Sequence, residues 1–296
     1  MNARERQDMK SELPKTCKSP LRWVGGKSRA TKTLFQFFPR EIHEYREPFL
    51  GGGSMAIEFT RRYPDIPVIV SDFDPLVYNF WKVLRDEGAV LLDRLLFAKL
   101  NAKDVDGHRK LFEEARAVLS QTISNELESA YAFFIVNKCG FSGLMSGGFS
   151  EQASRSNFSV NNIENLAHYT KHIQNWSIQN ADANDMLSNH PNTLVYLDPP
   201  YARVGKTGKS FLYGKDGDMH KSFDHDRFCA SVHAHSSPML ISYDNNELIK
   251  SMYSDFHSES FMHTYTLHSG KNYRADESKR KELVLWNYED QRTSII

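Results

Sequence analysis

The sequence predicts an α/β protein, a mixed sheet flanked by helices and interrupted by a helical insertion, and three observations carry that prediction. "YREPFLGGGSMAIEFTRRYP" followed by "DIPVIVSDFDP" reads as strand, glycine turn, helix and a second strand ending in acids, the first half of a nucleotide-binding α/β sheet. From Leu76 to about Val136 the pattern is helical with no strand punctuation, and after residue 175 apolar strand patterns return. At 296 residues and 40% hydrophobic content the chain can bury a sizeable core, as one large domain or two small ones.

Taken in order, residues 1–18 are polar and charged and read as a mobile arm. "SRATKTLFQFFP" predicts a short amphipathic helix stopped at Pro39. A strand leads into Gly51–Gly53, a helix starts near Ser54, and the run Val68 to Val70 forms a buried strand. "YNFWKVLRD", "AVLLDRLLFAKL", "GHRKLFEEARAVL" and "NELESAYAFFIVNK" are amphipathic helices. Residues 138–160, "KCGFSGLMSGGFSEQASRSNFSV", break the periodicity with glycines and serines and read as a ribbon or loop. The domain reading is therefore 19–81 with 176–296, and an insertion at 82–175. "WSIQNAD", "TLVYLDPPY" and "MLISYDN" are strands, and "SESFMHTYTLHS" with "KELVLWNY" would close the sheet as an antiparallel pair.

The net charge is +0, but residues 13–40 hold seven Lys or Arg and no acid, and residues 199–215 hold four and no acid. Each run is either a solvated face or part of a phosphate-binding surface. Cys17, Cys139 and Cys229 show no metal-ligand spacing and fit free thiols in a reducing compartment. No run is long and apolar enough to span a bilayer, and "MNARERQDMK" is too polar for a signal peptide, so a cytoplasmic location is expected.

"RWVGGKS" imitates the end of a phosphate-binding loop, yet the early glycine that the loop needs would stand where Leu21 stands. No apolar strand precedes it, since "SELPKTCKSP" carries two prolines. "LVYLDPPY" is the stronger signal. Its strand delivers Asp198 to the carboxyl end, where open α/β sheets bind ligands. Pro199 and Pro200 fix an extended turn and remove two amide donors, leaving carbonyls to accept, while Tyr201 adds an aromatic plane. A carboxylate beside a proline carbonyl suits an amino group, and a tyrosine face suits a planar ring.

Asp-Pro-Pro-Tyr is the catalytic motif of adenine-N6 DNA methyltransferases. With "PLRWVGGK" first, "EPFLGGGS" second and "DPPY" late, the chain resembles the Dam family, including its bacteriophage members, from about Pro20 to Tyr288. The resemblance implies a Rossmann-like class I methyltransferase sheet of seven strands with a helical target-recognition insertion. It implies S-adenosylmethionine as cofactor and S-adenosylhomocysteine as product, no metal, double-stranded DNA as partner, no membrane, and a monomer in solution. More than one copy on DNA is left open. It places Trp23, Gly26 and Lys27 beside the cofactor, with Lys27 near its methionine end. Glu47, Pro48, Phe49, Gly51, Gly53 and Ser54 form the first cofactor motif, where the glycines let backbone approach a ligand and the helix start offers amides. Asp72 is the acid for the ribose hydroxyls, with Asp74 as the other candidate. Asp182 follows the third strand, either near the adenine of the cofactor or the target base, or as a helix cap.

By the same likeness the insertion reads the DNA sequence, through an arginine that follows an Asn-Gly-Leu element. Here the matching stretch is "FSGLMSGGFS", with Ser146 at the arginine's position, so GATC or a relaxed variant of it is the expected site. Arg155 and Asn157 offer alternative base readers, arginine to guanine and asparagine to adenine, or a solvated loop. Arg22 and Lys138 are candidates for backbone or flanking-base contacts, and Lys271 and Arg274 for phosphates. The cluster His220, Asp224, His225 and Asp226 fits no metal spacing, whereas Asp224 as an N-cap with Phe223 as a staple explains it. Cytosine-N4, RNA adenine and protein glutamine remain alternative targets, and an inactive DNA-binding regulator is the alternative of another class.

Overall fold

The computed structural model describes residues 18–121, 125–201, 223–264 and 279–289. Residues 1–17 of the expected arm, Cys17 among them, His220, Lys271, Arg274 and most of the basic run 199–215 lie outside the described residues.

The strands are β1 (Glu44–Glu47), β2 (Val68–Ser71), β3 (Trp176–Gln179), β4 (Thr193–Leu197), β5 (Met239–Asp244), β6 (His257–Thr264) and β7 (Lys279–Trp286). They form one sheet in the order β3-β2-β1-β4-β5-β7-β6. The pairs β1 with β2, β1 with β4 and β4 with β5 are parallel, while β7 runs antiparallel to β5 and β6. This is the seven-stranded mixed sheet that the resemblance implies, with the antiparallel pair at its edge. The strand order reverses between β1 and β4, which makes that seam the switch point where such sheets bind ligands.

The helices are α1 (Thr31–Leu34), α2 (Ser54–Arg62), α3 (Pro75–Asp86), α4 (Gly88–Asn101), α5 (Val105–Leu119), α6 (Glu126–Cys139), α7 (Glu151–Asn157), α8 (Val160–Glu164), α9 (Leu166–His172), α10 (His225–His233) and α11 (Glu247–Met252). Two compact units result. One comprises the chain up to Ser28, Gly51–Asp65 and Asp74–Ile178; the other comprises Arg29–Leu50, Ile66–Phe73 and the chain from Gln179 onward. In the first, Phe80 of α3 lies 5.6 Å from Phe133 and stacks at 6.1 Å on Phe134 of α6. In the second, Val195 and Leu197 of β4, Met239, Ile241 and Tyr243 of β5, and Leu283 and Leu285 of β7 pack on Phe228 and Val232 of α10.

Local chemistry explains most element starts. Asp74 accepts from Leu76 N at 2.9 Å and Pro75 opens α3, while Asn125 caps α6 through Glu128 N at 3.0 Å. Asp224 accepts from Arg227 N at 2.9 Å, and Phe223 packs 5.3 Å from Phe228, the staple that the sequence predicts. Two expectations change. The helix read over "SRATKTLFQFFP" is broken into α1 with short 3-10 turns at Lys27–Arg29 and Phe35–Phe37. The loop read over 138–160 is pinched by a single bridge, Gly140 to Phe149, and ends in α7, because Ser150 accepts from Ala153 N and Arg155 pairs with Glu151 four residues back.

Candidate active site

In the second unit, polar groups collect at the carboxyl ends of the strands. Tyr45 pairs with Leu194 and Tyr196 with Leu240 in parallel register. Because side chains alternate, Tyr45, Glu47, Tyr196, Asp198 and Ser242 all project from one face, opposite the face that carries Val195 and Ile241. On that face Tyr45 Oη donates to Glu47 Oε2 at 2.8 Å. Burial, then the charge of Glu47, raises the Tyr45 pKa far above the phenol range, so it stays a donor. Asp198, half-buried just past β4, accepts from Ser242 Oγ at 2.8 Å, and Ser242 Oγ lies 2.8 Å from Tyr196 Oη. Pro48 carbonyl accepts from Ser71 Oγ at 3.3 Å, and Leu50 N donates to Ser71 O at 3.0 Å, which ties the exit of β1 to the end of β2.

Tyr201 is half-buried against the second core, its ring 5.8 Å from that of Tyr243. Tyr243 hydrogen-bonds His225 Nδ1, and Phe49 sits edge-on to Phe223 at 5.8 Å and Phe228 at 5.5 Å. Burial lowers the His225 pKa and raises that of Tyr243, so the phenol donates to a neutral imidazole. Asp72 is half-buried at the end of β2, its backbone held by Gln179 O and Asn180 Nδ2. Asp74 is buried and caps α3. Asp182 is exposed and caps the turn Ala183–Met186 through Asn184 N at 2.9 Å.

In the first unit, the turn at "WVGG" closes with Gly26 N donating to Trp23 O at 3.2 Å, and Gly25 takes φ 77° at the position that demands it. Lys27 is buried and its Nζ donates to Gly25 O at 2.9 Å. Ser28 Oγ meets Ser54 Oγ at 2.8 Å. Gly53 is the N-cap of α2 at φ 68°, and a Cβ there would come within 2.6 Å of Trp81. Trp81 Nε1 in turn donates to Gly51 O at 2.9 Å. The glycines expected to admit a ligand are thus also required by a packed indole.

Several predicted DNA contacts take internal roles here. Arg22 Nη1 donates to Gly140 O at 2.7 Å, and Asn137 brackets the Arg22 backbone, accepting from its N and donating to its O, both at 2.9 Å. Lys138 is buried with its ammonium 5.2 Å from the Phe134 ring, and burial, then repulsion from Arg22, lowers its pKa to about 7. Asn157 donates to Ala153 O at 2.9 Å, whereas Ser146 and Arg155 are exposed. Ser242, Asn137 and Trp81 were not singled out from the sequence. A serine directly after the apolar run "MLI" was the available signal for the first.

Acids at the ends of β1, β2 and β4, and Asp-Pro-Pro-Tyr directly after β4, are the features that the resemblance to methyltransferases implies for the second unit. The chain belongs to the family described as D12 class N6 adenine-specific DNA methyltransferase, which it matches over residues 23–267. It is 25% identical to the Type II methyltransferase M.MjaIII of Methanocaldococcus jannaschii, over 66% of this chain and 73% of that protein. It is 24% identical to a DNA adenine methylase of Vibrio cholerae, over 67% and 70%. A third relative, the Type II methyltransferase M1.LlaDCHI of Lactococcus lactis subsp. cremoris, is 20% identical over 90% and 94%. Membership implies S-adenosylmethionine as methyl donor and DNA as substrate. Among the described residues no helix is long and apolar enough to cross a membrane.

Proposed function

We propose that the chain transfers the methyl group of S-adenosylmethionine to the exocyclic N6 of an adenine flipped out of duplex DNA. The observation that carries this is the half-buried Asp198 carboxylate, delivered by β4 to the switch point and held by Ser242. The residues suit the cofactor by their chemistry: carboxylates Glu47 and Asp72 at strand ends for cationic and diol groups, and the start of α2 at Gly53, which no side chain caps. When bound, S-adenosylmethionine supplies a methyl group already activated on a sulfonium, so no nucleophilic side chain is needed.

The protein's task is to make an aryl amine nucleophilic. Asp198 and the Pro199 carbonyl accept the N6 hydrogens, drawing the nitrogen lone pair out of ring conjugation and aiming it, and the one N6 proton displaced by methylation passes by way of the Asp198 carboxylate to solvent. Orientation of this kind is worth roughly 7–11 kcal/mol. Tyr201, backed by Tyr243, offers the stacking plane for the flipped base, which costs a few kcal/mol to extrude. Burial of the Tyr243 side of that wall keeps the plane fixed.

For sequence choice, Ser146 stands where the likeness expects a guanine-reading arginine, and Arg155 is an exposed cation nearby in the chain, paired with Glu151 across one helical turn. The recognition site is therefore GATC read without that arginine, or a relaxed variant read with Arg155. Incubation with tritiated S-adenosylmethionine and DNA from a strain lacking adenine methylation, followed by single-molecule sequencing, tests both points. Methyl-adenine in a defined motif supports the reading; label on cytosine, RNA or protein, or on nothing, overturns it.

A further inference from the structure

Tyr196, Ser242 and Asp198 form a continuous hydrogen-bonded line, Tyr196 Oη to Ser242 Oγ at 2.8 Å and Ser242 Oγ to Asp198 Oδ1 at 2.8 Å. The first two are 1% and 0% exposed, so the line is sealed from water everywhere except at its acidic end. Its direction follows from proton counting. An ionised carboxylate can only accept, so the single hydroxyl hydrogen of Ser242 goes to Asp198; the serine oxygen must then accept from Tyr196. Burial, and then the negative charge of Asp198, raises the Tyr196 pKa far above the phenol range, which keeps that hydrogen in place. The line is also fixed in space: β4 and β5 are paired through Leu197 and Ile241, and the next step along both strands brings Asp198 and Ser242 opposite each other.

We infer that Ser242, backed by Tyr196, is a positioning residue that turns the Asp198 carboxylate toward the target amine and holds it ionised as an acceptor. The inference rests on the reading that Asp198 accepts an N6 hydrogen. A carboxylate on one side-chain bond past a strand rotates freely unless something holds it, and a hydroxyl donor on Oδ1 both removes that rotation and favours the charged form. The Ser242 hydroxyl has no part in the transfer itself.

The test uses the full chain, a duplex that the wild type methylates, and four variants: Ser242→Ala, Ser242→Thr, Tyr196→Phe and the double Ser242→Ala with Tyr196→Phe. Single-turnover methyl transfer is measured against pH, with cofactor affinity by calorimetry and Tm by thermal denaturation. Ser242→Ala should slow transfer about 10- to 100-fold, leave cofactor affinity within about threefold, and move the acid limb of the rate profile to higher pH. Ser242→Thr keeps the hydroxyl on a β-branched side chain that a strand accepts, and should restore most of the rate even where Tm drops. Tyr196→Phe should slow transfer by less than Ser242→Ala, because the serine still donates. The double variant should regain Tm relative to Ser242→Ala, since it removes the stranded phenol, without regaining rate.

A rate within twofold of wild type with an unmoved acid limb in Ser242→Ala overturns the inference, as does a rate that returns with Tm in the double variant. If Ser242→Ala does not fold, Ser242→Thr and Tyr196→Phe decide: a slow Thr variant with normal Tm, or a Tyr196→Phe variant indistinguishable from wild type, overturns it. Asp198→Ala separates the two levels of argument. Retained transfer in that variant overturns the reading of Asp198 itself, whereas a dead Asp198→Ala beside a normal Ser242→Ala overturns the inference alone.

Discussion

Asp198 and Arg22 are each a single charged side chain beside a turn, one in each compact unit, and the structure uses them in opposite ways. Asp198 is half-buried and receives one hydroxyl hydrogen from Ser242. Arg22 turns its guanidinium inward to the carbonyls of Gly140 and Asn137, at 2.7 and 3.5 Å. The acid is held by a strand whose alternation is fixed by the sheet, so its direction follows from its position. The base sits in a loop, where only the finished packing decides whether a cation meets solvent or satisfies orphan carbonyls at the end of α6. A motif at a strand end is therefore a better guide to chemistry than a charge in a loop.

The sharpest way to break this contrast is at the acid. Asp198→Ala should lower the methyl-transfer rate by at least about 10³-fold, with cofactor affinity unchanged within a few-fold by calorimetry. A large loss of cofactor binding would show that the carboxylate serves the cofactor rather than the target amine. At the base the opposite signature is expected. Arg22→Met leaves two carbonyls without their cationic donor and should lower stability by about 2 kcal/mol in denaturant titration. Unchanged stability with weakened DNA binding would place Arg22 on DNA and erase the distinction.

Lys138 sharpens the contrast through pH. Its pKa falls from 10.5 to about 7 in the fold, so between those values the unfolded chain binds the proton more strongly and stability climbs as pH rises. At and below pH 7 the full penalty is present, about 1.4 kcal/mol for each unit by which the pKa is lowered. Lys138→Met, which also packs well against Phe134, should stabilise most at pH 6 and flatten the rise toward pH 10. A variant less stable than wild type at pH 6 would show the ammonium to be paired and useful where it lies.

The smallest effect concerns Ser142, a non-glycine residue at φ 57° in the loop that Arg22 supports. Asparagine visits this left-handed region more readily than serine, so Ser142→Asn should raise stability by about 0.5 kcal/mol, read as a small increase in Tm. It should leave the single-turnover rate unchanged. A change in recognition motif with no change in Tm would mean that the hydroxyl, not the backbone, is what this position supplies.

Much of the fold was legible because its signals are local. Val68–Val70 before "SDFD", and Leu194–Leu197 before Asp198, announce buried parallel strands by unbroken apolar runs. The Asp224 cap and its Phe223 staple announce α10 from the six residues 223–228. The candidate site was legible where it is a contiguous motif, as at "DPPY", whereas the cap formed by Asp74 before Pro75 came from the structure. Residues 151–157 were misjudged as loop because Gly147, Gly148 and the many serines mask a start that only the Ser150 cap and the Glu151 to Arg155 pair reveal.

The sequence by itself determined the strands, the run of helices between β2 and β3, the acid at the end of β4 and the class of chemistry, since apolar period, caps and motif all act within a few residues of the chain. Only the tertiary structure decided that Ser242 faces Asp198 from 44 residues away, that Trp81 packs on the glycine turn, and that Arg22 and Lys138 turn inward. Alternation says which face of a strand a side chain takes. Which neighbour waits there depends on the crossover that sets strand order and on the packing that sets register, and those are properties of the whole chain.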